Sequence, residues 1–575
     1  MSPGSDSPMR AALAQCRRHF AAAAVFSALL NLLYLAPTLY MLQVYDRVVP
    51  TRGGQTLLFL TLVLLFALLT LALLDRTRTR LLTRAGVALD AAVAPHLLDA
   101  TLGRPEAPEA RQALRDFDQF RATLTGPAML ALFDAPWLPF YILVCFVVHP
   151  WIGAVALLGG IALPLIALAN ERATRPRLDQ AQAIAARTYA TQDAALSSAE
   201  AVRALGMRRA LVARQQRERD AMLVAQTEAG LAGGSYLTAT KFTRLALQSL
   251  ALGLGALLAI DDMISAGAIF AASFLIARAL APIEQLVATW RSIAQARSSY
   301  ARLDTMLGQA HAQPSPTTLP PPRGALAVEG VTVLAPGGDR AVLTNISVSI
   351  LPGEVVAVVG ASGAGKSTLA RLLVGAIRPD RGIVRLDGAD LADWDPERLA
   401  RHLGYLPQDT ALFAGTVAQN IARFAGDLGE DRATVDAAVI AAADAVCARD
   451  LIQRLPHGFD HRLSLGGRGV SAGQAQRIAL ARALYGDPAL LVLDEPNAHL
   501  DSDGDAALVA ALTRARQAGR TVVVVSHKLS ILPAVDKLLV LRDGRVDLYG
   551  PRDEILPRIT PPKLRATPAP PAIHG

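Results

Sequence analysis

Between Asp134 and Glu171 the chain carries no aspartate, glutamate, lysine or arginine. His149-Pro150 divides this stretch into two runs, about Pro127–Val148 and Trp151–Asn170, each close to the roughly 20 apolar residues that cross a bilayer. In lipid every backbone N–H and C=O must be paired inside the segment or around a closed barrel, so runs of this length predict helices. Phe20–Met41 and Gln55–Leu74 qualify equally. A fifth run, about Thr240–Ile260, and a sixth, about Ile264–Thr289, are interrupted by Lys241, Arg244, Arg278 and Glu284 and separated by Asp261-Asp262. The composition agrees: 52% of residues are hydrophobic and only 18% charged, against roughly 25% in soluble proteins. The apolar runs fill the first half of the chain, and the remainder reads as a soluble α/β domain.

The net charge of +8 is not a nucleic-acid signature. No basic stripe is interleaved with aromatics, and the arginines gather beside the apolar runs instead (Arg76, Arg78, Arg80, Arg84; Arg172, Arg175, Arg177). That bias marks the cytoplasmic flanks of membrane proteins. Arg10, Arg17 and Arg18 precede the first run. Its uncharged length, Phe20–Tyr45, exceeds the roughly 7–15-residue core of a cleaved signal peptide, so it predicts a retained span. Six spans place both termini on one side, the cytoplasmic one. The polar segments Asp75–Gly126 and Glu171–Ala239, rich in Ala, Leu, Arg, Gln and Glu, then predict helices running well beyond the bilayer. Asp134, Arg244, Arg278 and Glu284 either face a transport path, or pack against neighbouring helices or snorkel. Cys16, Cys145 and Cys447 are far apart and show neither disulfide nor metal spacing.

The soluble half carries Gly360-Ala361-Ser362-Gly363-Ala364-Gly365-Lys366-Ser367, the pattern G-x-x-x-x-G-K-[ST]. An apolar run, Val355–Val359, precedes it and a helix-like run from Thr368 follows, the strand–loop–helix setting of a phosphate-binding loop. Its glycines let successive N–H groups point at phosphate oxygens, Lys366 reaches the β- and γ-phosphates, and the Ser367 hydroxyl can ligate Mg²⁺. Ala489–Asp494 is a buried-strand pattern ending in Asp494-Glu495. Asp494 is placed to hold Mg²⁺, and Glu495 to polarise the attacking water. A second such strand, Thr521–Val525, ends at Ser526-His527, where His527 would contact the γ-phosphate. Gln408, after the short strand at Leu403–Leu406, supplies an amide oxygen to Mg²⁺. Val470-Ser471-Ala472-Gly473-Gln474 opens a helix whose N-terminus is another anion site. Within one subunit that helix has no phosphate nearby, so Ser471, Gly473 and Gln474 predict a homodimer in which each copy caps the other's ATP.

The order of loop, Gln408, V-S-A-G-Q, L-L-V-L-D-E-P, Leu500-Asp501 and His527 resembles the ATP-binding cassette (ABC) family throughout Leu326–Leu556. A six-span domain before the cassette resembles half-transporter exporters. Leu35–Val48 (LAPTLYMLQVYDRV), Leu132–Pro139 (LFDAPWLP) and Asp494-Glu495-Pro496-Asn497 are similar to the protease- and lipase-exporting branch of type I secretion ATPase/permeases. The resemblance implies a membrane all-α six-helix exporter domain followed by an α/β P-loop ATPase, in the bacterial inner membrane. It implies ATP-driven export of unfolded polypeptides bearing a C-terminal signal. The partners implied are a second copy, a periplasmic membrane fusion protein, a TolC-type outer-membrane channel and membrane lipid. An exporter of lipids or drugs with the same architecture is the alternative. The expected boundaries are a cytoplasmic segment 1–19, a membrane domain 20–312, a Pro-rich linker 313–323, a nucleotide-binding domain 324–557 and a Pro-rich tail 558–575. No cysteine-peptidase domain fits before the first span, so leader cleavage is not expected.

Three departures qualify the resemblance. Val470 and Ala472 stand where the signature usually reads L-S-G-G-Q. Ala335 stands where exporters often stack an aromatic ring on adenine. Leu463–Gly469 lacks the acid often found before the signature.

Overall fold

The computed structural model describes residues 8–103, 110, 112–311, 319–335, 338, 340–498 and 500–559. Most of the expected linker and all but the start of the expected tail fall outside them. The chain forms two compact units, Met1–Gln313 and Pro314–Gly575.

The first unit is helical. Among the described residues six helical segments are long and apolar enough to cross a membrane: Arg17–Thr51, Gly54–Gly103, Pro127–Val148, Pro150–Leu196, Arg208–Ile260 and Ala266–Ala288. The first five each contain one of the runs read from the sequence, and the sixth lies within the run Ile264–Thr289. The second, fourth and fifth continue far past their apolar windows. The 50 residues of the second extend about 75 Å at 1.5 Å per residue, against about 30 Å of hydrocarbon. Leu58, Phe59, Leu62, Val63, Phe66 and Leu69 on the second span are exposed, as a lipid-facing surface requires. The sixth span is the inner helix, with Leu275, Ile276, Ala279 and Leu280 packed against Tyr141, Ile152 and Leu163.

Between Gln43 and Val49 the first span widens into a π-helical turn. There Asp46 accepts hydrogen bonds from the Ser265 hydroxyl (2.6 Å) and the Gly267 N–H (2.8 Å), tying the start of the sixth span to the end of the first.

Several ionisable residues within the spans are paired with one another or with polar and aromatic neighbours. Arg78, buried, donates to Asp134 (3.0 Å), Asp75 (2.8 Å) and the Ser27 hydroxyl (2.8 Å). Asn31 also donates to Asp134 (2.9 Å), and the Tyr141 hydroxyl donates to the Asn31 carbonyl (2.7 Å). Arg244 pairs with Glu284 (2.5 Å), and the Arg278 guanidinium lies 3.3 Å from the centre of the Tyr34 ring. Asp134, Arg244, Arg278 and Glu284 thus each have a partner on a neighbouring span. Charges removed from water are retained where partners compensate them.

Among its described residues the second unit has twelve strands: β1 (Leu326–Leu334), β2 (Ala341–Ile350), β3 (Val355–Gly360), β4 (Arg381–Leu386), β5 (Ala389–Asp390), β6 (Leu403–Leu406), β7 (Gly415–Thr416), β8 (Arg462–Leu463), β9 (Leu490–Asp494), β10 (Thr521–Val525), β11 (Lys537–Arg542) and β12 (Arg545–Pro551). An antiparallel sheet runs β2-β1-β4-β5, and a six-stranded sheet runs β12-β11-β3-β10-β9-β6. In the larger sheet β11, β3, β10, β9 and β6 are parallel. β9 and β10 are buried at every position, which explains their unbroken aliphatic runs. Their register pairs Val525 with both Asp494 and Val358, and Leu406 with Leu493. Four neighbouring strands therefore end at one level, and ligands of open α/β sheets bind beyond such carboxyl ends.

Candidate active site at the carboxyl edge of the parallel sheet

The glycine loop, Gln408, Asp494-Glu495 and His527 all leave the sheet at this edge. β3 runs into Gly360–Gly365, and the helix Lys366–Leu373 follows. Gly365 heads that helix at φ 96°, and Gly363 sits at φ 80°. A Cβ on Gly365 would lie 2.6 Å from Leu343, and one on Gly360 would lie 2.3 Å from the Leu541 carbonyl, so neither position admits a side chain. The helix has no side-chain cap. Among the described residues the first-turn N–H groups of Lys366, Ser367 and Thr368 meet no protein acceptor, which leaves them for an anion. The Lys366 ammonium donates to the carbonyls of Gly360 (3.1 Å) and Ala361 (2.8 Å), which folds it over the loop it serves.

β6 ends just before Gln408, whose Oε1 accepts from the Ser367 hydroxyl at 3.3 Å. Asp494 closes β9, 1% exposed, and its Oδ1 is buried without a hydrogen-bond partner. Burial lifts its carboxyl above the ordinary carboxylate range and the neighbouring Glu495 charge adds to the lift, while the nearby Ser367 hydroxyl, Lys366 and Arg371 pull it down. A hydroxyl, a carboxamide and an orphaned carboxylate oxygen form a donor set suited to a hard divalent cation. Glu495 stands next in the left-handed region, at φ 49°. Its Oε1 lies 3.2 Å from His527 Nε2.

The site is braced by Gln476, to which the sequence assigns no role, and by Asn497. Gln476 is fully buried. Its Nε2 donates to the carbonyls of Pro496 (3.0 Å) and Glu495 (3.4 Å), and its Oε1 accepts from the Thr410 hydroxyl (2.6 Å). One amide thus joins the segment after Gln408 to the segment that carries Glu495. Buried Asn497 donates to Ser526 (3.2 Å) and links the residues that follow β9 and β10.

Ser471, Gly473 and Gln474 are not drawn into this cluster. Ser471 caps the helix Ala472–Leu484 in a capping box: its hydroxyl accepts from the Gln474 N–H (3.3 Å), and the Gln474 side chain accepts from the Ser471 N–H (2.8 Å). The spacing S-x-x-Q already carries that signal.

A family model described as "ABC transporter" matches residues 343–498. Over 566 residues, 98% of this chain and 96% of the relative, the chain is 41% identical to the "Type I secretion system ATP-binding protein PrsD" of Rhizobium meliloti (strain 1021). This chain belongs to the ABC transporters, among the type I secretion ATP-binding proteins. It is also 31% identical to the "Cyclolysin secretion/processing ATP-binding protein CyaB" of Bordetella pertussis (strain Tohama I / ATCC BAA-589 / NCTC 13251), over 92% of this chain and 75% of that one. A solved structure described as a bacterial Atm1-family ABC exporter with ATP bound matches the fold with a TM-score of 0.80. It covers 94% of this chain and 96% of that one, at 24% identity. As an ABC transporter of this group, the chain binds ATP and couples its hydrolysis to transport.

Proposed function

We propose that this ABC transporter exports unfolded polypeptide across the bacterial inner membrane as the energising component of a type I secretion system. The observation that carries the reading is the 41% identity to a type I secretion ATP-binding protein across spans and ATPase together. Both termini are cytoplasmic, in keeping with the arginines flanking the spans. The working boundaries are 1–19, 20–312, 313–323, 324–557 and 558–575. A periplasmic membrane fusion protein and a TolC-type channel complete the route, and the four-residue stretch Asp494–Asn497 favours the protease- and lipase-exporting branch.

The glycine loop Gly360–Gly365, Lys366, Ser367 and Thr368 bind the ATP phosphates. Ser367, Gln408 and Asp494 hold Mg²⁺, which when bound neutralises charge on the phosphates. Glu495 orients the attacking water and accepts its proton. His527 steadies Glu495 and contacts the γ-phosphate. Ser471, Gly473 and Gln474 of a second copy cap the nucleotide, so ATP closes two composite sites in a homodimer and hydrolysis reopens them.

The test is Glu495→Gln in detergent-solubilised protein. Hydrolysis should fall by about 10²–10⁴-fold while ATP and Mg²⁺ hold the protein as a stable dimer. A protomer that never traps nucleotide sinks the composite site. Reconstituted wild type should be stimulated by a secreted protein's C-terminal segment; stimulation by lipids or drugs alone would point to the other exporter class.

A further inference from the structure

A cavity of about 950 Å³ opens within the membrane unit between the helix Ala113–Thr125, the extension of the fourth span beyond Asn170, and the helix Trp290–His311. It is at the upper end of the roughly 300–1,000 Å³ typical of ligand sites. Every wall residue lies outside the apolar windows, on the side of the spans that carries the long polar extensions.

Five arginines and three acids line it. Asp116 is taken by Arg302 in a two-pronged pair (2.8 Å), and Glu171 by Arg297 (3.7 Å). That leaves Arg115, Arg175 and Arg291 facing Asp179 alone, and none of the three arginines makes an ion pair among the described residues. Trp290 is also a wall residue, and its indole N–H is buried without an acceptor among the described residues. Several glutamine side chains, Gln182 and Gln226 among them, complete the wall.

We propose that this cavity is a binding site for an extended acidic polypeptide segment. Three uncommitted guanidinium groups present paired donors that match carboxylates. The glutamines supply both donors and acceptors, which suits the N–H and C=O groups of an extended main chain. An anionic lipid headgroup shares the charge preference, but it has no use for the amide-rich wall and would require its acyl chains to leave the apolar belt. The proposal rests on the polypeptide-export reading and gives it a substrate preference: segments rich in aspartate and glutamate engage first.

The test uses full-length protein in neutral-lipid nanodiscs and a fluorescent peptide rich in Asp, beside its Asn and Lys counterparts. The Asp peptide should bind. The Asn peptide should bind about tenfold more weakly, and the Lys peptide not at all. The variant Arg115→Gln/Arg175→Gln/Arg291→Gln should lose about tenfold in Asp-peptide affinity while keeping basal ATP hydrolysis. Equal binding of the Asp and Asn peptides to wild type overturns the proposal, whether or not the variant folds. So does displacement of the Asp peptide by phosphatidylglycerol in the disc, which marks a headgroup site. Undiminished affinity in a folded triple variant also overturns it. If peptides stimulate ATP hydrolysis regardless of charge, the export reading stands and this site falls. If no polypeptide stimulates it, the export reading itself falls.

Discussion

Two helices of the ATPase unit begin with residues suited to anions, and the structure treats them oppositely. The helix at Lys366 starts behind a left-handed Gly365 and has no side-chain cap. The helix at Ala472 starts behind Ser471 with both halves of a capping box formed. The first is an open anion site, with donors and the folded-back Lys366 already beside Ser367, Gln408 and Asp494. The second must exchange internal hydrogen bonds for phosphate contacts before it can serve a second copy's ATP. One chain thus carries a primed half-site and a self-satisfied half-site, so closure trades capping bonds for ligand bonds.

The largest effect that tests this contrast is expected at the open helix. Lys366→Ala should lower ATP hydrolysis by about 100-fold or more, because the ammonium stabilises charge that develops on the transferred phosphoryl group. It should leave the melting temperature without ATP nearly unchanged, since Lys366 holds only two loop carbonyls. A large fall in that temperature would mean the loop depends on the lysine for its own shape.

Next in size is Gln476→Leu, inside the self-capped helix. The change strands the Thr410 hydroxyl and the carbonyls of Glu495 and Pro496, each costing about 1–3 kcal/mol if left unpaired. Because Glu495 holds a left-handed backbone beside this bond, kcat should fall about tenfold with KM for ATP unchanged. A rise in KM at constant kcat would show that Gln476 shapes binding and does not position Glu495.

Much of the site was legible because each of its parts ends a strand. Gly360, Gln408, Asp494 and His527 follow four runs that are apolar on both faces, and such runs are readable as neighbouring parallel strands. The six spans were legible from missing charge. Gln476 was not, since a glutamine in a helix reads as a surface residue until a tertiary partner is known. Nor was the pairing of Arg78 with Asp134, or of Arg244 with Glu284, because each joins two different spans whose relative rotation no local pattern gives. The capping box at Ser471 and Gln474 was readable, but the same residues also fit a phosphate site, and the sequence reading took that meaning alone.

Ser471 separates those two meanings. Ser471→Ala removes the cap and should cost about 1 kcal/mol, a fall in melting temperature of about 2–4 °C for a domain of this size. Ser471→Asp keeps a cap and should keep that stability, yet it places a negative charge where a second copy's phosphate would arrive. ATP-driven dimerisation, followed by sedimentation with the Glu495→Gln background, should therefore fail in the Asp variant while its melting temperature holds. Dimerisation that survives Ser471→Asp would make the residue a cap and nothing more.

The smallest expected effect concerns Asp494 without ligand. Its carboxyl is raised above the ordinary range mainly by burial, so the charged form costs stability in the folded state. The native state then holds a proton that the unfolded chain has already lost. Stability attributable to this group accordingly rises as pH falls through the raised pKa and is lower above it. Asp494→Asn removes the charge at nearly constant shape, so at neutral pH the ligand-free variant should melt higher than the wild type. The gain should vanish toward acid pH, where the wild-type carboxyl is protonated. Adding ATP and Mg²⁺ should reverse the order, since the wild type gains a ligand that the variant binds poorly. A variant less stable than wild type at neutral pH would mean that Ser367, Lys366 and Arg371 already compensate the buried charge in full. The open half-site would then be electrostatically balanced before nucleotide arrives, and the contrast with the capped helix would reduce to hydrogen bonding alone.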